Sequence, residues 1–294
     1  MQNRRPTDAE GIDASRYQGS INWRKVRADG KSFAFVKASQ GQSYVDPTFE
    51  TNVKGAKEAG VLIGAYHFLD ATSVSAARLE ARHFAEVLER VGGAAVLDLP
   101  PVLDYETNPA GLSKSAISSV AKAFLTDLED LTGNRPIIYS GNSFSSNFDT
   151  SLGSYKLWVA RYSTSTPYDS PAWKQWDFWQ YTDSGRVDGI SGPVDLNVYS
   201  GTEAELREEF AKSGGDEAMT NGEKAALQAL QQQITELQAL HNMPVPEWAK
   251  EAVAAAGAYN PGEPLLDVKS ATSYDMYRLI VIMHRMGLFN KNGK

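Results

Sequence analysis

The sequence predicts an α/β fold: an irregular eight-stranded, parallel-type β/α barrel with reduced helices, followed by a small all-α C-terminal domain. Three observations lead there. Eight short β-rich runs recur between about Ile12 and Ser200, helical periodicity fills the earlier gaps between them, and the pattern changes to a Gly-containing linker and helices beyond residue 211.

In order, the runs are IDAS, FAFVKAS, VLIGAYHF, PPVLDYE, RPIIYS, KLWVARY, DFWQYT and DLNVYS. Several are nearly continuous in apolar residues, as strands covered on both faces are. Helical patterns occupy Pro47 to Ala59, Val74 to Val91 and Ser113 to Leu131, whereas the later gaps are short and rich in Ser, Gly and Pro. Strands alternating with helices imply a parallel sheet, and eight of them suit closure into a barrel whose helices thin out in the second half. An open doubly wound sheet is the competing architecture. It fits less well, because no Gly-rich phosphate loop follows the first strand.

The domain reading is a flexible N-terminus over 1–10, a catalytic barrel over 11–211, a linker over 212–219 and a helical domain over 220–294. Paired glycines and few apolar residues mark the linker KSGGDEAM. Beyond it, Leu227, Leu230, Ile234 and Leu237 alternate spacings of three and four, the seam of a short coiled coil or amphipathic helix. Residues 223–241 are therefore a candidate homo-oligomer contact. Pro246 is placed to open a further helix, and SYDMYRLIVIMHRMGLF reads as another, with Gly287 near its end.

A net charge of -7 offers no basic field for a phosphate backbone, so nucleic acid is not an expected partner. With no cysteine there is neither a disulfide nor a thiolate ligand nor a thiol nucleophile. The histidines His67, His83, His241 and His284 form no paired-ligand spacing, and no cofactor or metal is called for. His67 reads as a packed or hydrogen-bonded strand residue. The apolar run Leu279 to Met283 is too short to span a bilayer. The opening MQNRRPTDAE lacks the apolar core of a secretory signal, which places the expected chain in the cytoplasm where it is made.

Chemistry concentrates in carboxylates. Asp104 and Glu106 sit two residues apart where a strand gives way to the loop TNPAG, so both leave one face, about 7 Å apart at the backbone. The reactive surface of a parallel barrel is the C-terminal rim of its strands. Hydrolysis of a glycosidic bond needs a proton donor and a second carboxylate that attacks or stabilises the cation, and crowding two acids splits their pKa values. Asp13, early in the first strand, and Asp195, opening the last, lie near one another if first and last strands are neighbours. A lone D-x-E is usually a solvated pair, so the case rests on all four acids, and a magnesium or calcium site is the competing use of such a cluster. Among aromatics near strand ends, Tyr66, Tyr139, Trp158, Tyr162, Trp179 and Tyr181, half are expected to be core packing. Tyr66 and Tyr139 are the preferred pocket residues.

Together GIDASRYQG, FVKASQGQSYVDPTF, GAYHF, VLDYE, WVARY, FWQYT and VDLNVYS resemble glycoside hydrolase family 25, the Chalaropsis-type lysozymes, over about Gly11 to Phe210. The resemblance implies an N-acetylmuramidase that cleaves the β-1,4 bond between N-acetylmuramic acid and N-acetylglucosamine in peptidoglycan, with net retention. It implies Glu106 as general acid, Asp104 as its carboxylate partner, and Asp13 and Asp195 completing the pocket. Substrate-binding candidates are then Tyr66, Tyr139, Tyr162, Trp179, Gln180 and Asn197. Where the family often has Thr-Glu-Gly, this chain has Ser39, Gln40 and Gly41. A muramidase with a helical appendage and no secretory signal resembles a bacteriophage endolysin released through a holin pore, whose C-terminal domain binds a secondary wall polymer. A non-catalytic glycan-binding barrel and a chitinase-like hydrolase are the alternatives.

Overall fold

In the computed structural model, period-two alternation sorts every barrel strand into an inward and an outward set, and the structure describes residues 1–210, 232–233, 235–236, 244–258 and 273–289. The strands are β1 (Glu10–Ala14), β2 (Phe33–Gln40), β3 (Tyr44–Val45), β4 (Leu62–Phe68), β5 (Val102–Asp104), β6 (Ile137–Gly141), β7 (Lys156–Ala160), β8 (Phe178–Gly185) and β9 (Val194–Tyr199). Hydrogen bonding runs β1-β9-β8-β7-β6-β5-β4-β2, and a β1–β2 pairing closes the ring; β3 is a short antiparallel addition to β2.

Inward positions carry large rings: Phe33, Phe35, Tyr139, Trp158, Phe178 and Tyr199 fill the barrel interior with Val102 and Ile137. Phe35 stacks on Trp158 at 4.5 Å and meets Phe178 edge-on at 5.2 Å. Room for these rings comes from missing side chains on neighbouring strands. A Cβ at Gly11 would lie 2.5 Å from the Phe33 ring, and one at Gly64 would lie 2.5 Å from Phe35. The outward set, including Ile12, Ala34, Val36, Ile63, Leu103, Ile138, Leu157 and Val159, packs beneath the helices.

Helices α1 (Trp23–Ala28), α2 (Phe49–Glu58), α3 (Val74–Glu89) and α4 (Lys114–Thr132) cover the first half, and α5 (Glu203–Phe210) follows the last strand. Ser73 and Ser113 cap α3 and α4 by accepting from the amides of Ala76 and Ala116. Between β6 and β7 there are only 3-10 turns at Phe144–Asn147 and Thr150–Leu152, so the second half is poor in helix as expected.

One strand departs from the parallel direction of the others. Seven strands run parallel around the ring, but β9 is antiparallel to both β8 and β1. Residues 186–193, which join β8 to β9, are too few for the crossover that a parallel return requires, so the chain turns back as a hairpin. The lead-in over 1–10, read as flexible, is tied to the barrel. Gln2 donates to the Trp176 carbonyl at 2.6 Å, Trp176 Nε1 donates to the Gln2 carbonyl at 2.9 Å, and Arg4 lies over the Tyr181 ring at 4.5 Å.

The chain divides into units Met1–Lys212 and Ser213–Lys294. Within the second, a 3-10 turn at Glu247–Ala249 leads into α6 (Lys250–Ala258), and Ala249, Ala252, Val253 and Ala256 pack against Tyr277 and Ile280 of α7 (Tyr274–Arg285). Ser273 caps α7 by accepting from the Met276 amide. The linker 212–219 and the seam residues Leu227, Leu230, Ile234 and Leu237 lie outside the described residues.

Candidate active site

At the mouth of the barrel the inward positions change from apolar rings to acids and amides. Asp13 follows Gly11 on the inner face of β1, Lys37 follows Phe35 on β2, Asp104 follows Val102 on β5, and Gln180 follows Phe178 on β8. With Tyr66, Phe68, Glu106, Tyr139, Trp158, Tyr162 and Asp195, these residues enclose a pocket of about 190 Å³. That is smaller than the ~300–1,000 Å³ of a site that swallows a whole ligand, so a longer substrate must run across the open rim.

All four acids named from sequence meet here. Asp195 reaches the rim only because β9 is antiparallel: the opening of a parallel strand lies at the opposite end of the barrel. It is the direct register partner of Asp13. Glu106 lies two residues beyond Asp104, just past the end of β5, and keeps the inward phase while Tyr105 between them turns outward against Phe144 and Phe148.

Asp13 is held by two amides, with Gln180 Nε2 donating to its Oδ2 at 2.7 Å and Asn197 Nδ2 at 2.8 Å. Each amide is oriented in turn by an aromatic donor: Tyr139 OH gives its hydrogen to Gln180 Oε1 at 2.8 Å, and Trp158 Nε1 to Asn197 Oδ1 at 2.8 Å. Burial pushes the Asp13 carboxyl up, and the two amides pull it back. Burial, then the adjacent Asp13, pushes Asp195 up to about 8. Asp104 is raised well above the usual carboxylate range by burial and then by the charge of Glu106, with Lys37 opposing. Glu106 is also raised, by burial first, while the adjacent Asp104 works the other way. The Asp104–Glu106 pair therefore retains a proton at pH values where isolated carboxyls have lost theirs. Oδ1 of Asp104 is buried and has no hydrogen-bond partner among the described residues.

Burial followed by nearby carboxylates raises the hydroxyls of Tyr66, Tyr139 and Tyr162, so each remains a neutral donor. Tyr162 is the exposed aromatic of the rim, at 56%. Two sequence assignments change. Trp179 does not line the pocket: one residue out of phase with Gln180, it points outward, donates to the Arg161 carbonyl at 2.9 Å and packs against Trp176. Asn197 is fully buried behind Asp13 and orients that acid rather than lining the pocket. Lys37 and Phe68 were missed. Lys37 had a signal, an inward-phase charge in the otherwise apolar run FAFVKAS.

A bulge directly after Lys37 re-aims Ser39. Lys37 pairs with Tyr66 and Ser39 with His67, leaving Ala38 as the extra residue. Ser39 Oγ then sits 2.8 Å from His67 Nδ1, and His67 Nε2 lies 3.1 Å from Glu80 Oε2, which also accepts from the Asp70 amide at 2.9 Å. This buried chain pins the ends of β2 and β4, the strands that carry Lys37, Tyr66 and Phe68 into the pocket. Burial lowers the His67 pKa and keeps the ring neutral.

Residues 12–190 match the family model described as glycosyl hydrolases family 25. The chain belongs to this family. As a glycosyl hydrolase it is an enzyme, and the alternative of a non-catalytic barrel falls away. The family 25 chain is 42% identical over 204 residues to the uncharacterized protein YegX of Escherichia coli (strain K12), covering 67% of this chain and 71% of that protein. It is 37% identical over 212 residues to Lysozyme M1 of Streptomyces globisporus, covering 67% and 69%. The bacterial lysozyme structure from Streptomyces coelicolor has a TM-score of 0.63 and 33% identity, covering 72% of this chain and 100% of that one.

Proposed function

We propose that this family 25 hydrolase, whose relatives include lysozymes, cleaves peptidoglycan at the β-1,4 bond from N-acetylmuramic acid to N-acetylglucosamine. The reading rests on the proton-sharing pair Asp104 and Glu106 at the floor of the pocket, with an unpartnered oxygen on Asp104. A 2-acetamido N–H is the donor that such an oxygen lacks. Once that bond forms, with Lys37 nearby, the ionised form of Asp104 is favoured and the shared proton resides on Glu106.

Glu106 then protonates the departing glycosidic oxygen as the acetamido carbonyl oxygen, oriented through Asp104, bonds to the anomeric carbon. Glu106, now a carboxylate, removes a proton from water, and the water oxygen displaces the acetamido oxygen. Two inversions give net retention. Asp13, held by Gln180 and Asn197, and Asp195 set the electrostatic floor; Tyr162 offers its ring to the sugar on the rim.

Mass spectrometry of digested cell wall decides the bond. New reducing-end muramic acid is expected; new reducing-end glucosamine, or activity on chitin alone, overturns the reading. As part of the same proposal the chain acts as an endolysin that reaches the wall through a holin pore. Its second unit binds a secondary wall polymer or, through residues 223–241, a second copy. Truncation after Gly214 that weakens wall association supports the first of these roles, and a smaller particle on sedimentation the second.

A further inference from the structure

Beside the catalytic pocket lies a second one of about 340 Å³, lined by Arg16, Tyr17, Lys37, Gln40, Tyr44 and Asp70 among others. Lys37 belongs to both, so one side chain forms the wall between them. The Arg16 guanidinium lies 5.2 Å from the Tyr17 ring centre and 5.6 Å from that of Tyr44, while Lys37 Nζ is 5.7 Å from the same Tyr44 ring. Two cations thus flank one aromatic ring, and among the described residues neither forms an ion pair with a carboxylate.

The pocket's own acids are otherwise engaged. Asp46 is buried and caps a turn: its Oδ1 accepts from the Thr48 amide and hydroxyl at 2.9 and 2.6 Å, and its Oδ2 from the Arg16 amide at 3.1 Å. Asp70 is held off by Gln40, whose amide Nε2 donates to it at 3.2 Å while Oε1 accepts from Lys37 at 2.7 Å. Gln40 therefore stands between Lys37 and Asp70 and keeps them from neutralising each other. Tyr17, 80% exposed, stands beside them as an uncovered wall.

A neutral sugar needs hydroxyl partners; it does not need two cations with no direct ion pair. A carboxylate does, and Asp70 beside it suits a peptide N–H. We propose that this pocket is a subsite for the carboxylate-bearing substituent on the 3-oxygen of the muramic residue, gripped by Arg16 and Lys37. The inference rests on the muramidase reading above and deepens it. The carboxylate has two sources, the stem peptide or the lactyl group left when the stem is absent.

The test measures kcat/KM on three soluble glycans of equal length: stem intact, stem carboxylates amidated, and stem removed to leave the lactyl carboxylate. The wild type is expected to prefer the intact over the amidated glycan by roughly tenfold, the scale of one charge-assisted hydrogen bond. Arg16→Gln is expected to bring that ratio near unity, chiefly through KM, and Arg16→Lys to retain part of it. If the stem-free glycan keeps the advantage over the amidated one, the lactyl carboxylate can take the place of the stem's; if it falls to the amidated level, only the stem carboxylate is gripped. A wild type that does not discriminate among the three, or an Arg16→Gln enzyme with the wild-type ratio, overturns the subsite. Absence of muramic reducing ends from every glycan overturns instead the muramidase reading on which it stands.

Discussion

Asp13 and Asp195 face each other as register partners across the antiparallel β1–β9 pair, both on the inner face of the barrel mouth. Burial raises both pKa values; the neighbouring Asp13 adds to the rise of Asp195, to about 8, whereas Asn197, Gln180 and Asp195 pull Asp13 back. A carboxyl that holds its proton more tightly folded than unfolded leaves stability intact below the unfolded value near ~4 and removes it as pH rises through the folded value. Thermal unfolding should therefore show a Tm decline between about pH 4 and pH 8 that is shallower in Asp195→Asn by a few degrees. Parallel profiles for the two proteins would show that the pair holds no such proton.

Asn197 serves two buried partners at once, Asp13 and Trp158. Asn197→Ala leaves a carboxylate oxygen and an indole N–H short of a bond, with an expected loss of about 2–3 kcal/mol in denaturant unfolding. Turnover should fall with KM little changed, because Asn197 acts through Asp13. A variant with raised KM and unchanged kcat would place Asn197 on the substrate instead.

Tyr162 and Trp179 separate rim from core. Tyr162→Ala is expected to raise KM severalfold at wild-type stability, as removal of a sugar platform does. Trp179→Ala, from a side chain 1% exposed, should cost about 3–5 kcal/mol of stability, and its remaining folded fraction should bind substrate normally. Calorimetry and steady-state kinetics on both variants check the contrast; a KM defect in Trp179→Ala without destabilisation would contradict it.

His67 is buried and neutral between Ser39 and Glu80. Its lowered pKa means that its contribution is present above the unfolded value near ~6.5 and lost as pH falls through the folded one. His67→Gln should lower Tm at neutral pH, and the gap to wild type should narrow toward pH ~5. A gap that widens in acid would mean that His67 is charged in the folded protein.

Alternation made most of this architecture legible. Phe33, Phe35 and Lys37 share one phase of FAFVKAS, and Asp104 and Glu106 share one phase of VLDYE, so strand identity alone aims them. The same rule argues against Trp179, since adjacent residues of a strand cannot both face inward and Gln180 takes that side. What periodicity does not carry is direction. Asp195 was expected beside Asp13 from strand adjacency, yet its place at the rim comes from the reversal of β9, set by the short connection 186–193. The second pocket was also hidden, because Arg16, Lys37, Tyr44 and Asp70 come from four separate segments that only the closed barrel and the bulge at Ala38 bring together.

The assignment of Glu106 as the acid is tested most directly by the rate at which Glu106→Gln releases muramic reducing ends from purified peptidoglycan. The amide fills the same space and cannot deliver a proton, so kcat is expected to fall by about 10²–10⁴ with binding of the glycan retained. Near-normal turnover by Glu106→Gln would contradict the account.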